Sequence, residues 1–141
     1  MNITFKVLGI DLNQNIPGSC YFYWKEALWL PKVSAFAIPT KQQMSAIINQ
    51  AQYLDPIRKF FGEIIDVTSW LRPQLYNRLI DGAPDSSHLR GSATDFTIRN
   101  VSIEEAKKEI QANNLYPGGG GEINTTNWIH LDREHKKWFI A

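Results

Sequence analysis

Two stretches of alternating polarity, residues 93–98 (ATDFTI) and 128–132 (WIHLD), most constrain what this chain can fold into. Successive side chains of a strand point to opposite faces. Phe96 and Ile98 therefore share one face, and Ala93, Asp95 and Thr97 share the other. In the second stretch Ile129 and Leu131 form the apolar face, with Trp128, His130 and Asp132 opposite. If the two strands are neighbours in one sheet, Asp95 and His130 project onto the same open face. His88 lies in the loop just before, where Gly91 supplies the bend, and can swing over them.

The two enclosing segments, SSHLRGSATDF and NWIHLD, hold two of the three histidines and concentrate the reactive side chains. Two imidazoles and one carboxylate around an open fourth position suit a hydrolytic zinc: three protein ligands fix the tetrahedron and the fourth position takes water. The metal brings that water's pKa toward neutrality and polarises the scissile carbonyl. Taken alone, each segment also reads as a hydrogen-bonded His or Asp at a strand end. Cys20 is the only cysteine, which excludes an internal disulfide framework and a zinc site of several thiolates. It reads as a buried small hydrophobe. His135, in the basic aromatic tail REHKKWF, reads as a surface residue, since a fourth protein ligand would leave no position for water.

At 141 residues, with 43% hydrophobic and 21% charged content, the chain has the size of a single globular domain spanning residues 1–141. Fifteen basic against fourteen acidic side chains leave no bulk electrostatic drive toward nucleic acid or an anionic membrane. No apolar run is long enough to span a bilayer, so no membrane insertion is expected. The start, MNITFKVLGIDLNQ, alternates in polarity and carries Lys6 and Asp11 where a signal peptide needs an apolar run, so it reads as a first strand. The expected product is cytoplasmic as synthesised, and a monomer.

Thr40 with Gln43, and Ser102 with Glu105, are capping-box patterns ahead of helical apolar spacing. They predict helices from residue 41 onward, kinked or divided at Pro56 and stopped at Gly62, and over 103–113. The aromatic-rich residues 21–30 suggest a short helix, and Pro73 suits the first turn of another over 73–80. IIDVTS reads as a buried strand ending near Ser69, and the run Gly118 to Gly121 followed by NTTN has the composition of a β-hairpin or of a mobile loop. Segregated helices and hairpin strands predict an α+β fold, a small antiparallel sheet with helices packed on one side.

The spacing Ser86, His88, Gly91, Ala93, Asp95, followed by an aromatic-x-His-x-Asp segment, resembles the peptidase M15 family of zinc D-alanyl-D-alanine carboxypeptidases and L-alanyl-D-glutamate endopeptidases. These share the fold of the Hedgehog signalling domain. The resemblance covers roughly residues 20 to 135, through YLDPIRKFFGEIIDVTSWLRPQLYNRLIDGAPDSSHLRG, and is closest to the branch found in bacteriophages and bacteria. It implies that His88, Asp95 and His130 bind Zn2+, that Arg72 binds a substrate carboxylate or carbonyl oxygen and stabilises the oxyanion, and that Ser86 supports the ligands from behind.

The substrate it implies is the D-amino-acid-containing peptide of bacterial peptidoglycan. Access to the wall would then come by lysis, through holin pores, or as part of a phage particle. The chain departs from the family where relatives often carry a Glu or His a few residues before the last ligand. Here the stretch reads Asn124, Thr125, Thr126, Asn127, Trp128, which offers no proton acceptor. Asp132, by strand parity, and Glu122, across the hairpin, are the alternative general-base candidates. Trp70 and Leu71 replace the usual Gly-Tyr and Ser87 the usual Gln, which bears on the shape of the cleft. The second reading that the missing base motivates is a zinc-binding wall-binding or phage structural module without catalysis.

Overall fold

The computed structural model describes residues 6–7 and 9–141. Most of the expected first strand, residues 1–5 and 8, lies outside the described residues. The remainder forms a tight antiparallel pair, β1 (Lys6–Val7) with β2 (Ile10–Asp11). A short helix, α1 (Trp24–Leu28), follows within the aromatic segment and leads into a second small pair, β3 (Trp29–Leu30) with β4 (Ala35–Phe36).

Helix α2 (Lys41–Phe61) starts at Thr40, whose hydroxyl accepts the Gln43 N–H at 3.1 Å while the Gln43 side chain accepts the Thr40 N–H at 2.8 Å. It ends at Gly62 in the left-handed conformation. Of the two outcomes expected at Pro56, a kink or a division, the division does not occur. The proline lacks an N–H for the preceding turn, but Leu54 and Ile57 beside it are fully buried and hold the helix on the core. Helix α3 (Gln74–Leu79) begins after Pro73, and α4 (Ile103–Ala112) after Ser102, whose hydroxyl accepts the Glu105 N–H.

The principal sheet joins β5 (Ile65–Ser69), β6 (Ala93–Ile98), β7 (Gly120–Gly121) and β8 (Ile129–Asp132) in the order β5-β6-β8-β7, every neighbouring pair antiparallel. β5 is an edge strand, half-buried where a buried one was expected, because only β6 flanks it. Phe96, Ile98, Ile129 and Leu131 face a core shared with Ile47, Leu54 and Ile57 of α2 and Ala106 and Ile110 of α4. Inside it Gln50 of α2 donates to the Thr94 hydroxyl and to the Leu131 carbonyl, and accepts from Tyr116. The fold is thus α+β, with the helices' apolar faces on one side of the sheet and Asp95 and His130 on the other. Among the described residues, no helix is long and apolar enough to cross a membrane.

The C-terminal segment extends this sheet. The Phe139 N–H donates to the Gly121 carbonyl at 2.8 Å, and its carbonyl accepts the Ile123 N–H at 2.7 Å. Glycine is required where the tail crosses, since a Cβ on Gly120 would collide with the Lys137 carbonyl and one on Gly121 with the Trp138 ring. The last two glycines of the run thus form the close-packed strand β7, paired with β8 as a hairpin, while Gly118 lies in the turn before it. Cys20, expected inside, is exposed. It sits in a turn pinned from below by Asp55, whose carboxylate accepts the Cys20 N–H and the Ser19 hydroxyl, and this turns the thiol outward.

Candidate metal centre

Asp95 and His130 are direct cross-strand partners of β6 and β8. Their Oδ1 and Nδ1 atoms are 2.7 Å apart. His88 comes from a short 3-10 helix, Ser87–Arg90, which Ser86 caps by accepting the His88 N–H, and which Gly91 ends at φ 81°. One ligand atom from each of His88, Asp95 and His130 lies within 4.8 Å of the other two, and all three residues are buried. The sequence reading put Asp95 and His130 on one face with His88 in the loop over them, and the structure brings the three together.

The hydrogen bonds around the triad decide which atoms face its centre. His88 Nδ1 lies 2.7 Å from the Trp70 carbonyl, which can only accept, so Nδ1 carries the hydrogen. In the neutral ring Nε2 is then a bare lone pair. It is buried and, among the described residues, without a hydrogen-bond partner, and Asp95 Oδ1 lies 3.2 Å away, off the line of a hydrogen bond. Two acceptors that close, shut away from water, call for a cation between them. His130 Nε2 in turn lies 2.8 Å from Asp132 Oδ2, which leaves Nδ1 as the atom facing Asp95. A carboxylate behind a ligand imidazole is the usual support of a metal-bound histidine. The donor set of two imidazole nitrogens and one carboxylate oxygen, with its orphaned nitrogen, fits a zinc ion.

Without a metal a proton fills part of this role. Burial alone would lower the His130 pKa, but hydrogen bonds to Asp132 and Asp95 push it up to about 9. Burial alone would raise Asp95, yet the adjoining His88 and His130 hold its carboxyl well below the usual range. His130 therefore contributes stability that is fully present below its ordinary value of 6.5 and is lost as pH rises through 9. Asp95 contributes stability present above 3.8 and lost on acidification below that. In chelator-treated protein, the stability advantage of wild type over His130→Asn is expected to shrink between pH 6.5 and 9. Denaturant midpoints across that range check it; an advantage that grows with pH contradicts the assignment.

A cavity of about 320 Å³ opens over the triad, walled by Arg72, Glu122, Trp128, His135 and Phe139. Arg72 donates from Nη2 to Asp95 Oδ2 at 3.1 Å and from Nε to the Ser69 hydroxyl at 2.9 Å. Among the described residues its Nη1 has no partner, and this is the part of the fork left for a ligand. A larger groove, of about 750 Å³, runs between α4 and residues 123–126. It adjoins none of the three clustered residues.

Of the two base candidates only Glu122 lines the cavity. Asp132 is fully buried behind His130. Its oxygens accept from His130 Nε2, His135 Nδ1 and the backbone N–H groups of Glu134 and His135. Strand parity put it on the right face, but the tail folds over that end of β8 and shuts it off from the cavity. Trp70 and Leu71 do not shape the cleft either, since both are in the core. Trp70 Nε1 donates to the Gly91 carbonyl at 3.0 Å, which ties the His88 loop to β5.

His135, read from the sequence as a surface residue, is exposed, but it also takes part in the cavity wall. Its ring is half-exposed, lines the cavity, stacks on Phe139 at 3.7 Å, and binds Asp132 Oδ2 at 2.9 Å through Nδ1. The spacing of three residues from Asp132 was the available signal, but only the return of the tail shows that it reaches the cavity.

The family model described as Peptidase M15 matches residues 31–132 of the chain, a span that contains all three clustered residues and Arg72 and Glu122. No curated protein and no solved structure matches.

Proposed function

Because the chain belongs to the peptidase M15 family, we propose that it is a zinc-dependent peptidase whose metal is held by His88 Nε2, an Asp95 oxygen and His130 Nδ1. The observation that carries this is the buried, unpartnered His88 Nε2 facing Asp95 Oδ1. Bound there, zinc would supply a Lewis acid for the scissile carbonyl and a water acidified toward neutrality.

The chain's own residues supply the rest. Asp132 holds His130 in the tautomer that points Nδ1 inward, and the Trp70 carbonyl does the same for His88 Nε2. Arg72, anchored on Ser69 and Asp95, presents Nη1 to a substrate carboxylate or to the oxygen on which charge develops. Glu122, on the cavity wall, takes the proton of the attacking water.

The substrates we assign are the D-amino-acid-containing peptides of bacterial peptidoglycan, reached after lysis, through holin pores or from a phage particle. Support comes from the family and from a cavity that sets a free guanidinium nitrogen beside the triad. The test is release of new amino groups from purified peptidoglycan, with and without chelator. Release that chelator abolishes and zinc restores is the expected result. No release from zinc-loaded protein would favour a zinc-binding module without catalysis, and release indifferent to chelator would contradict the zinc mechanism.

A further inference from the structure

His135 lies beyond the last residue matched by the family model, in a tail that this chain folds back over its own sheet. We propose that His135, paired with the buried carboxylate of Asp132, is the proton donor to the departing amine, a role that rests on the peptidase reading above.

Three observations carry the proposal. Asp132 is completely buried and accepts from His135 Nδ1 at 2.9–3.0 Å, so that nitrogen carries the hydrogen. The other nitrogen, Nε2, has no partner among the described residues, and the ring lines the same cavity as Arg72, Glu122 and the triad. Stacking on Phe139, which the tail pairs with Gly121 and Ile123, fixes the plane of the ring. A carboxylate behind one imidazole nitrogen and open space before the other is how a histidine is set up for proton transfer. Asp132 also touches His130, so one carboxylate orients both rings.

In the reaction the water oxygen bonds to the carbonyl carbon and the C–N bond breaks. Glu122 takes one proton from the water and passes it to the nitrogen. His135, protonated on both nitrogens, gives its Nε2 proton to the same nitrogen. It recovers a proton from the carboxylic acid that forms, so the products are a carboxylate and an ammonium group.

His135→Gln keeps a polar side chain of similar length but has no basic nitrogen, which separates proton transfer from packing. The rate of amino-group release from purified peptidoglycan is expected to fall by about 100-fold or more, with zinc content and thermal midpoint unchanged. His135→Ala is expected to recover part of its activity when imidazole is added, which a packing role does not predict. In metal-free wild type, nitrogen NMR is expected to show neutral His135 as the Nδ1–H tautomer. Wild-type rate in His135→Gln, or the Nε2–H tautomer, would overturn the proposal while leaving the zinc reading in place. Absence of chelator-sensitive hydrolysis in wild type would remove both this proposal and the peptidase reading on which it rests.

Discussion

His88→Ala is expected to abolish hydrolysis while leaving a folded protein. In the proposed site its imidazole supplies one of the three ligand atoms, and among the described residues its Nε2 has no hydrogen-bond partner. Loss of a group that merely supports a ligand costs about 10–100-fold in metal affinity or activity, so loss of the ligand itself is expected to cost more than about 100-fold. Folding survives because the fixed points around His88 are not its imidazole. Ser86 caps the 3-10 helix through the backbone, Gly91 turns the chain, and Arg90 bridges to Glu134 at 2.7 Å. The variant leaves the Trp70 carbonyl without its partner, a cost of about 1–3 kcal/mol. Circular dichroism and the rate of amino-group release check the two halves separately. Hydrolysis at the wild-type rate in a folded His88→Ala protein would contradict the assignment of the site.

Trp70→Ala is expected to be the most destabilising single change near the site, by about 3–5 kcal/mol, the range for removing a large buried aromatic side chain. Trp70 is 1% exposed, meets Phe22 edge-on with ring centroids 5.9 Å apart, and donates to the Gly91 carbonyl. The same residue accepts His88 Nδ1 on its own carbonyl. Loosening it therefore loosens the ligand loop, so zinc affinity is expected to fall along with stability. Trp70→Phe keeps most of the packing and drops only the indole N–H, and is expected to fall between wild type and Trp70→Ala in both respects. Chemical denaturation and zinc titration of the three proteins check this. A Trp70→Ala protein as stable as wild type would contradict the packing described here.

Asp95 and His130 were legible as a pair because strand parity is a strong constraint, while the full ligand set with His88 came from the family resemblance. Phe96 and Ile98 of β6 and Ile129 and Leu131 of β8 take the core face, which leaves Asp95 and His130 the opposite one, and the register makes them direct partners. The caps at Thr40 and Ser102 and the stop at Gly62 were legible for a similar reason, since each is decided within a few residues. What escaped depended on contacts between distant segments. Asp132 has the right parity, but the tail that buries it returns from residues 135–139. The same return brings His135 to the cavity and packs against Gly120 and Gly121. The Trp70 carbonyl that orients His88 is backbone, and no side-chain pattern announces it. Cys20 faces outward because Asp55 holds its turn, a contact across 35 residues.

Zinc content of the purified protein, measured by elemental analysis for wild type beside His130→Ala, tests the central claim most directly. About one zinc per chain in wild type and little in His130→Ala is the expected result, since three ligands define the site and the variant retains two. No zinc in wild type, or equal zinc in both, would contradict the metal centre and with it the mechanism built on it.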